Sequence, residues 1–282
     1  MTSGLTTIPE TRAQRAQGQL DLCFGAAPAG QPARLKKFLQ SGCLRARLPR
    51  AQSLGWREAV ALNISGGIAG GDRLTTRINI EAGAKVIIAG QAAERVYRAS
   101  GGEAARVHTT IEVGPDAWLE YLPQETIFYD GFALERALMI NLAADARYLG
   151  VEMQVFGRRS MGETLQSGSW HDSIMLHREG VLILNDRVRL EGAIEAVLMR
   201  PATAGGAVAL ATLIMAGPDV AAHLDGLREI LHHDGVNAGA SLVDGVLVAR
   251  VLARSLHHLR GTIMVALVFL RGGRSLPRVW QG

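Results

Sequence analysis

The chain has 282 residues, 48% hydrophobic and 20% charged, an ordinary globular composition able to bury a large core without disulfides. Its 30 basic residues interleave with 26 acidic ones for a net charge of +4; nucleic-acid binders concentrate basic charge on one face or tail, so that class is set aside. The first 18 residues are polar, and the longest fully apolar run, Ile263 to Leu270, falls short of the roughly 20 residues of a membrane span, so a cytoplasmic protein with reduced cysteines is expected.

In chain order, residues 1–18 read as a flexible tail. From Leu20 to Leu190 short β-runs alternate with Gly, Asp and Asn turns. Arg77 to Ile80 and His108 to Val113 alternate polar and apolar, as half-buried strands do. Lys85 to Ile88 and Val181 to Leu184 are continuous apolar runs, as fully buried strands are. An internal repeat runs through Ile78 to Lys85, Ile111 to Trp118 and Ile140 to Arg147, pivoting on Ala84, Ala117 and Ala146. Each unit reads strand, tight turn, strand, and a period near 30 implies a solenoid-like stack of β-layers.

Arg200 to Gly206 is a loop leading to a helical part. Asp219 can cap a helix reaching His233. Gly239 to Val251 reads as a strand pair around Asp244-Gly245. A second helix is expected from Leu252 to Leu270, stopped by Gly272-Gly273. Its apolar stretch, Ile263 to Leu270, suggests surface intended for another protein. The expected fold is mainly β, a stacked-strand single domain over 19–282, β-rich to residue 200, with two helices in the remainder.

Four blocks carry unusual chemistry. In Asn63 to Asp72, the pairs Gly66-Gly67 and Gly70-Gly71 require positive φ or close backbone approach. A phosphate cradle is excluded, because there is no Gly-Lys-Ser/Thr and a strand follows rather than a helix. The block is a structural double turn, with Asp72 capping it or lining a polar cavity. Gln91 to Arg98 places Glu94 between polar and basic neighbours just past a buried strand. Leu119 to Gly131 sets Glu125 and Asp130 among apolar and aromatic residues, where a buried carboxylate must be paired, hydrogen-bonded or metal-bound. Phe156 to Glu163 is a further charged turn. Cys23 and Cys43 have no metal or redox spacing. His232-His233 and His257-His258 do not share helix faces, and His171 and His177, on one face of a strand, read as solvated residues, with a weak transient metal contact as the alternative. No catalytic set emerges.

These blocks, in this order, resemble the UreD (UreH) family of urease accessory proteins. The matching text is Asn63-x-Ser65-Gly66-Gly67-x-x-Gly70-Gly71-Asp72, Gln91-Ala92-Ala93-Glu94-x-Val96-Tyr97-Arg98, Leu122 to Ile127 with Asp130-Gly131, Phe156-Gly157-Arg158 with Met161-Gly162-Glu163, and Leu276 to Trp280. The resemblance implies a β-rich stack with two helices, no catalytic activity and no tightly bound cofactor. It also implies work with UreF, the GTPase UreG and the urease apoprotein to pass nickel to urease, with room for a dimer through the UreF complex. It further implies a polar passage for transient nickel. Asp72, Glu94, Glu125, Asp130 and Glu163 are the expected lining, each at or near a strand end. The competing role for these acids is ordinary pairing with Arg73, Arg95, Arg98, Arg136 and Arg158. The alternative function is a β-solenoid carbohydrate-active enzyme with a carboxylate pair; aromatic content of 5% argues against its sugar-stacking cleft.

Overall fold

Three alanines set the architecture. In the computed structural model, which describes residues 14–50, 53–158 and 162–281, Ala84, Ala117 and Ala146 sit almost fully buried in tight turns. Those turns stack on one another: the amide of Trp118 donates to the Ala84 carbonyl and that of Arg147 to the Ala117 carbonyl, both at 2.9 Å. A larger side chain would force successive layers apart, because interiors are close-packed.

The chain opens with β1 (Gln17–Gly25), β2 (Arg34–Gly42), β3 (Leu44–Arg47), β4 (Arg57–Asn63), β5 (Arg73–Ile80) and β6 (Lys85–Gly90). It continues with β7 (Glu94–Val96), β8 (Ala105–Val113), β9 (Trp118–Leu122), β10 (Thr126–Phe128), β11 (Phe132–Leu142) and β12 (Arg147–Phe156). Then come β13 (Gly168–Arg178), β14 (Val181–Gly192), α1 (Ile194–Leu198) and β15 (Ala209–Ala216). Last are α2 (Leu224–Leu231), β16 (Val236–Val243), β17 (Val246–Ala253) and α3 (Leu256–Leu270). Strands make up 51% and helices 13%.

Each repeat crosses through its alanine turn from one sheet to the other. One sheet has the order β14-β13-β11-β8-β5-β1-β2, the other β16-β17-β15-β12-β9-β6-β4-β3. The ladders β5-β8-β11-β13 and β4-β6-β9-β12 are parallel, as a solenoid stack requires. A narrow third side is formed by β7 and β10, which pair in parallel with each other, β10 pairing also with the end of β12.

The main core lies between the sheets, built from inward alternates such as Leu20, Leu22, Ile78, Ile111, Leu138 and Ile140. A second core lies on the outer face of the larger sheet. There Leu149, Val151, Leu213 and Val251 meet Leu227 and Leu231 of α2 and Leu259, Ile263, Leu267 and Leu270 of α3. Each such buried side chain contributes about 1.5–3 kcal/mol.

The structure corrects several expectations. The apolar stretch of α3 is mostly core rather than partner surface; Val265 is its exposed large residue. Helix α3 starts at Leu256, capped by the Ser255 hydroxyl, because the preceding residues complete β17 between β15 and β16. Val181 and Leu182 are exposed rather than buried, since β14 is an edge strand with one neighbour. The short α1 before the 200–206 loop was not foreseen. Gln17 and Gly18, read as tail, belong to β1; residues 1–13 lie outside the described residues. No helix among the described residues is long and apolar enough to cross a membrane.

Candidate functional site

The four sequence blocks fall on successive layers of the narrow third side. Ile68 bridges to Val96, Val96 pairs with Phe128 and Phe128 with Phe156, an inward apolar column. Two residues earlier runs a polar column: Glu94 pairs with Thr126, and Thr126 with Gln154. Strand alternation puts this column on the same inward face. The stack thus brings chemistry from distant blocks to one seam.

The glycine turn builds the outer end of that seam. Gly66 and Gly67 have φ of 82° and 147°. A Cβ on Gly67 would lie 2.4 Å from Cε2 of Tyr97 and 2.8 Å from the Arg95 carbonyl oxygen. Asp72 is the cap of this turn: one carboxylate oxygen accepts from the Ala69 amide, the other from the Ala16 amide, both at 2.7 Å. It thereby fastens the start of the first sheet to the turn.

Inside lies a cavity of 320 Å³ between the sheets. Gly66, Gln91, Ala92 and Arg95, all exposed, form its open end; Asn63, Glu94, Pro123 and Gln124 stand beside them. Its floor carries Thr109, Tyr121, Arg136 and Glu152. Glu94 receives the Asn63 side-chain amide on both oxygens, at 3.2 and 3.3 Å. Burial pushes its carboxyl up to about 7, against the stabilising Asn63 bond. On the floor, Arg136 holds Asp172 in a two-pronged ion pair at 2.8 and 2.7 Å and also bonds Glu152. Burial opposes the Arg136 charge, but Asp172 and Glu152 more than compensate and raise its pKa. Burial raises Glu152, and Arg136 only partly offsets it. Two carboxylates share one guanidinium, so this buried network is one positive charge short when both are ionised.

The polar band continues past the floor. Glu152 of β12 pairs across to Thr212 of β15, and Thr212 to Arg250 of β17. Directly opposed residues share a sheet face, so all three point inward. Arg250 then bonds Asp186 of β14 in the opposite sheet. Polar groups therefore run from the Glu94 end to the Asp186–Arg250 pair.

Of the five acids expected as lining, Glu94 lines the cavity. Glu125 lies in the same loop as the lining residues Pro123, Gln124 and Thr126 but binds Arg260 at 3.2 Å. Asp130 pairs with Arg98 and accepts from the Ser167 amide; these outweigh the burial that would raise its carboxyl, and its pKa is lowered. The Arg158 hydrogen bond lowers Glu163. Asp130 and Glu163 are neighbours, the Asp130 amide lying 3.5 Å from a Glu163 oxygen. Arg159, Ser160 and Met161 of this block lie outside the described residues. His171 pairs with Glu191. No cluster of three or more His, Cys, Asp or Glu able to hold a metal occurs among the described residues.

A family model described as UreD urease accessory protein matches residues 16–281. The chain belongs to the UreD family. Relatives named urease accessory protein UreD include one from Methylobacterium sp. (strain 4-46), 43% identical over 96% of both chains. One from Rhizobium leguminosarum bv. viciae is 38% identical over 98% of this chain and 99% of its own. One from Chelativorans sp. (strain BNC1) is 40% identical over 88% of both.

For this UreD-family chain, sequence reasoning missed the interior groups Glu152, Asp172, Asp186 and Arg250, and Arg136, expected to pair with one of the block acids, pairs instead with Glu152 and Asp172. A signal existed for Glu152: it stands alone in β12, where every residue after Arg147 is buried. A lone carboxylate in such a strand marks a buried polar site.

Proposed function

We propose that this chain is a non-catalytic accessory protein of urease maturation, working in the cytoplasm with UreF, UreG and the urease apoprotein. In this reading it conducts nickel through its interior along the polar band. The observation that carries the proposal is the cavity between the sheets, with Glu94 at its open end and Glu152 on its floor.

The chemistry suits a cargo in transit rather than a resident ion. Carboxylate, amide and carbonyl oxygens bind nickel more weakly than a cage of cysteines and histidines, so an ion can step onward. Glu94 titrates near neutrality, so its proton and a cation compete at working pH. The surplus carboxylate around Arg136 offers a second resting point of negative charge. Glu125 and Asp130, the pair an enzyme of carbohydrates would use, are each tied to a different arginine, which does not favour that alternative.

The test is co-expression of the chain with urease subunits, UreF and UreG, followed by affinity capture and nickel analysis of the urease. A captured complex and nickel-loaded urease, both lost when the chain is omitted, are expected. A chain that ignores both urease and UreF would sink the proposal.

A further inference from the structure

One wall of the cavity is the short loop from β9 to β10, and it is held by the carboxyl-terminal part of the chain. Gln124 of this loop lines the cavity yet is buried, and a buried amide needs partners for both its ends. Its Nε2 donates to the Val279 carbonyl at 2.9 Å and to the Gly90 carbonyl at 3.4 Å. Its Oε1 accepts from Nη1 of Arg260 at 2.7 Å.

Arg260 is the hub. The same Nη1 reaches Oε2 of Glu125 at 3.2 Å, while Nη2 donates to the Trp280 carbonyl at 3.1 Å. The guanidinium also lies 5.1 Å from the centre of the Trp280 ring. Trp280 is fully buried, and its indole N–H donates to the Leu122 carbonyl at 3.0 Å. Residues 122, 124 and 125 are thus fixed by one side chain of α3 and by Val279 and Trp280. The Glu125 carbonyl in turn accepts the Glu94 amide at 2.8 Å. Arg260 itself does not line the cavity.

We infer that Arg260, with Val279 and Trp280, is a positioning device that sets the loop carrying Gln124 and Glu125 and, through the Glu125 carbonyl, the Glu94 carboxylate. The inference rests on the passage reading above and deepens it. The planar guanidinium supplies the hydrogen bonds to Gln124, Glu125 and Trp280 from one rigid fork; a lysine keeps the charge but cannot reproduce that geometry. Loosening the fork leaves the sheets and both cores intact while letting the cavity wall drift.

The test compares Arg260→Lys and Gln124→Leu with the natural chain, each full-length and captured with urease, UreF and UreG. Thermal midpoint, complex yield, and urease activation at limiting and at saturating Ni²⁺ are measured, with Glu94→Gln and Glu152→Gln in the same assay. Expected for Arg260→Lys is an intact complex, a near-natural thermal midpoint and activation at limiting Ni²⁺ slowed roughly tenfold, as for partners that orient metal ligands, with recovery at saturating Ni²⁺. Gln124→Leu should show the same nickel dependence. Natural activation by Arg260→Lys at limiting Ni²⁺, while Glu94→Gln and Glu152→Gln are impaired, overturns the positioning role alone. Loss of folding and complex together in both Arg260→Lys and Gln124→Leu also overturns it, since the fork would then be a fold element. Natural activation by Glu94→Gln and Glu152→Gln overturns the passage reading and this inference with it.

Discussion

The Asn63 side-chain amide lies within hydrogen-bond reach of both oxygens of Glu94, at 3.2 and 3.3 Å. The two residues come from different blocks 31 positions apart, joined because the glycine turn and the β7 layer stack. Burial nonetheless dominates, and the Glu94 carboxyl is raised from the ordinary 4.5 to about 7. The native state therefore holds a proton that the unfolded state has lost between those two values. Stability from this group is present below about pH 4.5 and is lost as pH rises through about 7. Glu94→Gln should melt higher than the natural chain at pH 8 and show no such gain at pH 4.5. Thermal melts across this range check it; equal offsets at both ends would show that Glu94 is not titrating there.

Arg136 offers a test of the buried floor. Its side chain is 12% exposed, and those of Glu152 and Asp172 are 11% and 6%. Removing the single cation strands two carboxylates in the interior, and breaking a buried pair in this way costs about 3–5 kcal/mol. Arg136→Met should show that loss in urea unfolding at pH 7.5. Combining it with Glu152→Gln and Asp172→Asn should restore part of the stability, because the stranded charges disappear. A single variant within about 1 kcal/mol of the natural chain would mean the network is solvated.

The glycines of the double turn should rank by what surrounds them. Gly66 has φ of 82° with open space beside it, whereas Gly67 combines a φ of 147° with backbone and ring contacts. Gly70 has ordinary backbone, but a Cβ there would sit 2.6 Å from the Glu103 carbonyl oxygen. Gly66→Ala should cost about 1 kcal/mol, and Gly67→Ala about 1–3 kcal/mol or more. Gly70→Ala should resemble Gly67→Ala despite its relaxed φ. Equilibrium unfolding of the three variants decides the order.

Much of the stack was legible because tight turns and strand alternation are local. Ala84, Ala117 and Ala146 announce the layers, and Asp244-Gly245 announces a hairpin with both residues at positive φ. What escaped depends on the neighbour a strand receives. Val181 and Leu182 read as core but lie on an edge, and the Ile263 to Leu270 run read as a partner surface but covers a sheet. The candidate site was half legible for the same reason. Glu94 sits in a marked turn block, whereas Arg136 and Glu152 look like ordinary members of strands until layer stacking sets them facing each other. Arg260 gave no signal, since its role arises from contacts with Gln124 and Trp280, 136 and 20 residues away.

The acids of the blocks can be separated by neutral substitutions. Asp130 pairs with an Arg98 that is 60% exposed, and Glu163 with an Arg158 that is 43% exposed. Exposed pairs of this kind are worth about 0–1 kcal/mol, so Asp130→Asn and Glu163→Gln should fold and assemble. Neither residue lines the cavity, so both variants should activate urease normally at limiting nickel. Glu94→Gln and Glu152→Gln remove negative charge from the cavity itself. Glu152→Gln also leaves Arg136 neutralised by its two-pronged bond to Asp172, so the fold should survive the change. Both cavity variants should form the partner complex yet yield urease with less nickel when the metal is scarce. On the proposed route Glu94 loses its proton to take up a cation, so activation by the natural chain should rise with pH through about 7. Glu94→Gln should flatten that part of the profile. Activation assays at limiting nickel over pH 6 to 8 read all of these outcomes together. Deficits in Asp130→Asn and Glu163→Gln with natural activity in Glu94→Gln and Glu152→Gln would move the route out of the cavity and onto the narrow side.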